Sequence, residues 1–220
     1  MATIAVSGTS RGIGLELVKQ LVDLPHAQVS KVFALSRGKP TDALQALIDK
    51  HIDRVTHTSA AVDDDASVQQ AAKTVESHLG DRGLDILVNN AGIAPWNTSG
   101  KMGTLPVELL TRSFEVNVVG THRVTSAFLP LLEKGKMKLV VNMGTTLASI
   151  TWAERYAFAP TQAYNISKTA LNMMNKQYAM SYADQGFTFV CVSPGISSQS
   201  QLRSFLTSQV ITDRTAVAQN

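Results

Sequence analysis

Cysteine is all but missing from this chain. Cys191 is the only one in 220 residues, so no disulfide can close within the chain, and its apolar neighbours predict a buried structural thiol. Charge is sparse as well: Asp, Glu, Lys and Arg make up 17%, the formal net charge is +3, and no Lys/Arg block interleaves with aromatics. Neither nucleic acid nor a membrane is therefore an expected partner, despite a calculated pI of 9.0. Apolar runs are too short to cross a bilayer, and no basic stretch followed by a long apolar one opens the sequence. A cytoplasmic protein is the expectation. His26, His51, His57, His78 and His122 stand without ligand spacing, so no metal site is predicted.

What the chain does have is alternation. Short β-branched and apolar runs are followed by segments with apolar residues every three or four positions, with no internal repeat or low-complexity linker between them. That pattern predicts βαβ units, hence a parallel sheet with helices on both faces. Strands are expected at 3–6, 29–35, 55–62, 84–88, 139–142 and 187–192. A long helix is expected from Pro106 to about Leu132 and another from Gln162 to Tyr182.

The first strand runs into Ser7-Gly8-Thr9-Ser10-Arg11-Gly12-Ile13-Gly14, and a helix-period segment comes next. One glycine lets the chain turn off the strand, one lets backbone approach a pyrophosphate, and one lets the helix start pack on the sheet. The helix N-terminus then offers unpaired N–H groups to a phosphate. The second glycine falls four residues after the first, which departs from the general G-x-G-x-x-G spacing.

Ser7-Gly8-x-x-x-Gly12-Ile13-Gly14 resembles the Gly-rich signature of the short-chain dehydrogenase/reductase family, with Ser in place of Thr. Four further matches come in the family's order: Asn89-Asn90-Ala91-Gly92, Asn117, Tyr164-x-x-x-Lys168 and Pro194-Gly195. The sequence is most similar in flavour to fungal polyketide ketoreductases of the norsolorinic acid reductase type and their carbonyl-reducing relatives. The resemblance implies a Rossmann-type doubly wound parallel sheet in three α/β/α layers. Residues 1–195 would form the dinucleotide-binding domain with its active site, and 196–220 a shortened polar tail. Relatives continue to a seventh strand, which is expected here to be incomplete or missing, with Val210-Ile211 the sole candidate.

Tyr164 and Lys168 are four residues apart, hence on one face of a helix. A neighbouring ammonium favours the phenolate and so lowers the pKa of a tyrosine that is otherwise a poor acid/base at neutral pH. The family's roles, carried to these positions, make Tyr164 the proton donor in reduction and Lys168 its tuner and a ribose ligand. Asn117 matches a residue whose main chain holds a relay water. The place of the family's catalytic Ser falls on Thr145, with Thr146 or Ser149 as alternatives. The reaction implied is NADPH-dependent reduction of a ketone or aldehyde, with an aromatic polyketide-type substrate one option. The alternative is an NADPH-binding protein, weak or inactive in catalysis, acting as sensor or partner.

Cofactor choice turns on the residues just beyond the second strand. An acidic residue there would repel a 2′-phosphate, whereas this chain has Ser36-Arg37, with Arg11 in the glycine turn. NADP(H) is therefore expected over NAD(H). Gly8, Ser10, Gly12, Ile13, Gly14, Asp63, Asn90, Ala91, Gly92, Arg123, Pro194, Gly195 and Ile196 complete the expected cofactor contacts, together with Tyr164 and Lys168. Asp63 would sit by the adenine. Trp96 and Trp152 flank the expected mouth, where they could stack on a flat substrate or serve ordinary packing. A small-molecule carbonyl compound is the expected partner. The two long helices would support a homodimer, and a short tail makes the tetramer of many relatives unexpected.

Overall fold

The computed structural model describes residues 1–97 and 100–195. Ala2–Ser7 (β1) is buried along its whole length, which is why its run is apolar without alternation: both sheet faces are covered. Gly12–Asp23 (α1) returns the chain over one face, burying Leu17, Val18, Leu21 and Val22 at helical spacing. Val29–Ser36 (β2), Asp42–Lys50 (α2), Val55–Ser59 (β3) and Asp65–Leu79 (α3) complete the first half. The α3 N-terminus is fixed by the Asp64 side chain, which accepts from the Ser67 N–H at 2.9 Å.

Ile86–Asn89 (β4) opens the second half. Val107–Phe114 (α4) and Gly120–Glu133 (α5) come next, then Leu139–Met143 (β5), Gln162–Ser181 (α6) and Thr188–Val192 (β6). The long helix expected from 106 to 132 forms, with Pro106 capping it, but one π-helical turn at Glu115–Val119 interrupts it. That turn carries Asn117, and π turns gather at functional sites because they reaim backbone groups.

All pairings are parallel, in the order β3-β2-β1-β4-β5-β6. Helices α1 and α2 bury one face with Ile4, Val6, Val32, Val88 and Val141. Helices α3 and α5 bury the other with Phe33, Leu35, Leu87 and Val140, and Tyr178 of α6 and Tyr182 just past its end pack on the same side. The fold is the doubly wound three-layer sheet expected, with six strands and no seventh among the described residues. The candidate strand at Val210-Ile211 lies outside them. The expected burial of Cys191 is corrected: β6 ends the described sheet, and Cys191 is exposed on that edge strand. Strand order reverses between β1 and β4, and the crevice at their carboxyl ends is where such sheets receive ligands.

Candidate active site

The glycine turn sits at that crevice. Gly8 has φ +73° and Gly12 φ +58°, the left-handed region that an L-side chain resists. A Cβ on Gly8 would lie 2.7 Å from Ala91 Cα, and one on Gly14 would collide with the Gly8 carbonyl and lie 2.5 Å from Asn90 Nδ2. A Cβ on Gly12 meets nothing within 4 Å. The first and third glycines therefore serve protein packing, while the second faces open space at the mouth of α1.

Asn90 holds the turn from the other side. Its Nδ2 donates to the carbonyls of Ser7 at 2.9 Å and Gly8 at 3.1 Å. The Ser7 hydroxyl accepts from the N–H groups of Asn90 and Ala91 at 3.0 and 3.1 Å. The two stretches most conspicuous in the sequence are thus one bonded unit joining the ends of β1 and β4.

A cleft of about 330 Å³ opens beside this unit. Gly8, Ser10, Arg11, Gly12, Ser36, Arg37, Asp63, Asn90, Ala91 and Gly92 line it, ten of the residues expected to hold a dinucleotide. Arg11 and Arg37 are exposed there and have no ion-pair partner among the described residues. Ser36 is engaged: its hydroxyl bonds His57 Nε2 at 2.9 Å, and burial holds the His57 imidazole below its ordinary range. Asp63 pairs with Arg112, whose Nη2 lies 2.6 Å from Oδ2.

Other expected contacts stand apart from the cleft. Arg123 is occupied by Asp65 at 2.8 Å and Glu115 at 2.6 Å, which ties α5 to α3 and draws the guanidinium away. Ile13 sits on the exposed first turn of α1. Pro194 and Gly195 lie past the end of β6 and outside the cleft lining, and Ile196 falls outside the described residues. Sequence reading missed Ala60, Val62, Ile93, Val116 and above all Arg112, all in the cleft wall. Arg112 gave no signal because its relation to Asp63 spans two elements and 49 positions.

Of the residues expected to carry chemistry, Asn117 and Lys168 stand against Gly92 in the wall of the same cleft. The Thr145 hydroxyl is near enough to the Tyr164 phenol to favour its ionised form. Thr145, rather than Thr146 or Ser149, is thus the hydroxyl that meets the tyrosine. Lys168 is 4% exposed and donates from Nζ to the Met143 carbonyl at 2.7 Å. A Cβ on Gly92 would stand 3.6 Å from that Nζ, so Lys168 lies just behind the cleft wall. Asn117 is fully buried, and its amide clamps two elements. Oδ1 accepts from the Ile93 N–H, and Nδ2 donates to the Ile93 carbonyl and to Ser167 Oγ, each at 2.9 Å. The loop after β4, the π turn and α6 are held together by this one side chain.

Protonation differs from expectation. Burial raises the Tyr164 phenol above the ordinary tyrosine range, and the Thr145 hydroxyl opposes it only in part. Lys168 does not do the lowering: its Nζ is 5.9 Å from the Tyr164 ring centre and turned to Met143. Burial brings Lys168 itself down to about 8, with the nearby Cys191 opposing. A phenol that keeps its proton is suited to giving one away, and a lysine this near neutrality is suited to changing its charge with its surroundings.

The loops around Tyr164 are clasped. The Asn97 N–H donates to the Pro160 carbonyl at 2.8 Å and Gln162 Nε2 to the Gly100 carbonyl at 2.7 Å. On these loops Trp96 and Phe158 are largely exposed, whereas Trp152 is half-exposed with the Arg155 guanidinium over its ring. Among the described residues no group of three or more His, Cys, Asp or Glu could hold a metal ion, and no helix is long and apolar enough to cross a membrane.

A glycine turn at the sheet's switch point, with a Tyr–Lys pair behind its cleft, defines a dinucleotide-type oxidoreductase. The family model for short chain dehydrogenases matches residues 2–210, and the chain belongs to that family. It is 33% identical over 205 residues to the short-chain dehydrogenase/reductase AacuF of Aspergillus aculeatus, covering 90% of this chain and 75% of that one. A second relative, the short-chain dehydrogenase anuI of Penicillium roqueforti, is 31% identical over 204 residues, with coverages of 87% and 77%. Among solved structures, NADPH-bound carbonyl reductase from chicken fatty liver superposes with a TM-score of 0.80 at 29% identity, covering 89% of this chain and 76% of that one. The carbonyl reductase Sniffer of D. melanogaster gives 0.80 at 28% identity, with coverages of 89% and 81%.

Proposed function

We propose that this protein is an NADPH-dependent reductase of ketones or aldehydes, acting as a cytoplasmic enzyme on a small-molecule carbonyl compound. The observation that carries the reading is the Tyr164–Lys168 pair of α6, with Lys168 Nζ 5.9 Å from the Tyr164 ring centre, beside a cleft whose Arg11 and Arg37 have no ion-pair partner among the described residues. The cleft fits a dinucleotide: Gly12 leaves room where a side chain would stand, and the N-terminus of α1 faces that room. Arg11 and Arg37 suit a 2′-phosphate, in keeping with the NADPH bound to the chicken carbonyl reductase. When bound, NADPH supplies hydride to the carbonyl carbon.

The chain's own residues do the rest. Tyr164 gives its proton to the carbonyl oxygen, and its raised pKa keeps that proton available at neutral pH. Thr145 donates to the same oxygen and orients it. Lys168, just behind the cleft wall at Gly92, steadies the ribose and returns the proton through its own titration. Asn117 fixes the loop that carries Gly92 and Ile93, and with it the wall against which the nicotinamide end rests. Exposed Trp96, Trp152 and Phe158 favour a flat, aromatic carbonyl substrate of polyketide type, as in fungal secondary metabolism. A homodimer would use α6 and the long helical stretch that ends in α5; Val119, in the π turn before α5, and Met173 and Met180 of α6 are exposed.

The test is NADPH consumption with aromatic ketones and quinones by the wild type and by Tyr164→Phe. Loss of turnover in the variant with dinucleotide binding intact is the expected result. Turnover unaffected by the substitution would refute the proposal. Binding of NADPH without turnover in the wild type would favour the sensor reading.

A further inference from the structure

The shortest charged contact in the cleft wall is the pair between Arg112, on the last turn of α4, and Asp63, in the turn between β3 and α3. Both side chains are partly in solvent, at 47% and 23% exposed, so the pair contributes little to stability. Its place matters more than its strength. Among the described residues Asp63 is the only carboxylate of the cleft lining, which otherwise carries Arg11, Arg37 and Arg112. The Arg112 hydrogen bond holds the Asp63 carboxyl below its ordinary range, and Arg37 is close enough to act on the same charge.

A bare carboxylate there would oppose a phosphate in two ways. It would draw Arg37 into an ion pair of its own, and its field would repel a dianion entering the same cleft. With Arg112 in place, Asp63 already has its partner, and Arg37 keeps its donors. Arg112 belongs to α4 and lines the same cleft as Arg37, which follows β2.

We infer that Arg112 is a specificity-determining residue for a 2′-phosphorylated adenosine: by occupying Asp63 it frees Arg37 to take the phosphate. Arg112 is a positioning residue in this scheme, acting through Asp63 rather than on the ligand. The inference rests on the NADPH reading above and adds the residue that makes a cleft containing a carboxylate fit for that cofactor. It also assigns Asp63 a second condition: its carboxylate is compatible with the phosphate only while paired.

The experiment is calorimetric titration of the full chain with two probes, 2′,5′-ADP and 5′-ADP, which differ in the position that Arg37 would read. The wild type is expected to bind 2′,5′-ADP more tightly. Arg112→Met should weaken 2′,5′-ADP by about tenfold while changing 5′-ADP by less than about twofold. Adding Asp63→Asn to that variant should restore the 2′,5′-ADP affinity, because the competing charge is gone. Equal weakening of both probes in Arg112→Met would overturn the inference, as would a double variant that stays weak, since Arg112 would then be touching the ligand itself. A wild type that discriminates, with Arg112→Met discriminating equally well, overturns the inference alone. A wild type that does not discriminate overturns the NADPH reading and the inference with it.

Discussion

Lys168 Nζ donates to the main-chain oxygen of Met143 at 2.7 Å, tying the middle of α6 to the last residue of β5. A buried ammonium here is held by a carbonyl and not by a carboxylate. Its charge is therefore costly, and its pKa falls to about 8 from 10.5.

The consequence for stability has a definite sign. Between about pH 8 and 10.5 the unfolded chain keeps a proton that the native chain has released, so native stability rises as pH rises through that window. Relative to Lys168→Met, the wild type should gain about 2 kcal/mol between about pH 7 and pH 10. Denaturant unfolding at the two pH values measures it. A constant difference between the two proteins would mean that Lys168 titrates normally.

The Thr145 hydroxyl accepts from the Leu147 N–H at 3.2 Å and favours the ionised form of the Tyr164 phenol. Thr145→Val preserves shape but removes the donor. It should lower kcat roughly 10²-fold with little change in KM, whereas Thr145→Ser should retain most activity. Steady-state kinetics with NADPH and an aromatic ketone checks both. A low-activity Ser variant would show that the methyl group, and not the hydroxyl, is what the site uses.

Asn117 satisfies both backbone groups of Ile93 and the Ser167 hydroxyl from a fully buried position. Asn117→Leu would leave both Ile93 backbone groups without this partner, while Ser167 Oγ keeps its bond to the Tyr164 carbonyl at 2.8 Å. A loss of roughly 2–4 kcal/mol of unfolding free energy is expected, since unpaired buried polar groups cost their full desolvation. Chemical denaturation reads it directly, and a change under about 1 kcal/mol would mean that water replaces the amide.

The glycine turn offers a paired test. Gly14→Ala drives a methyl group into the Gly8 carbonyl and Asn90, so its main effect should be on stability. Gly12→Ala meets open space and costs only what its φ of +58° imposes, about 1 kcal/mol. Its larger effect should be on dinucleotide affinity, because the methyl group then occupies room a phosphate would use. Thermal unfolding alongside NADPH titration separates the two. Gly12→Ala with unchanged NADPH affinity would place the pyrophosphate elsewhere.

Chain-local constraints were legible without a structure. A residue with no Cβ is required where φ is positive or backbones touch, so Gly8, Gly12 and Gly14 marked the turn. A tyrosine and a lysine four apart on a helix must share a face, so Tyr164 and Lys168 marked the site. Alternating apolar runs marked the strands and the helical layers that cover them. Each of these properties depends on one residue and its near neighbours.

Pairings across elements were decided only by the tertiary structure. Nothing in the spacing of Ser36 says that His57 on the next strand takes its hydroxyl, and nothing near Arg123 says that Asp65 and Glu115 will claim it. Arg112 meets Asp63, Asn117 meets Ile93 and Ser167, and Lys168 turns to Met143 rather than toward Tyr164. The exposure of Cys191 likewise depended on which strand stands at the edge of the described sheet. The physical reason is common to all of them. A side chain's type fixes what it can bond, but a long-range partner is chosen by which elements the packed sheet brings within roughly 3 Å, the length of a hydrogen bond.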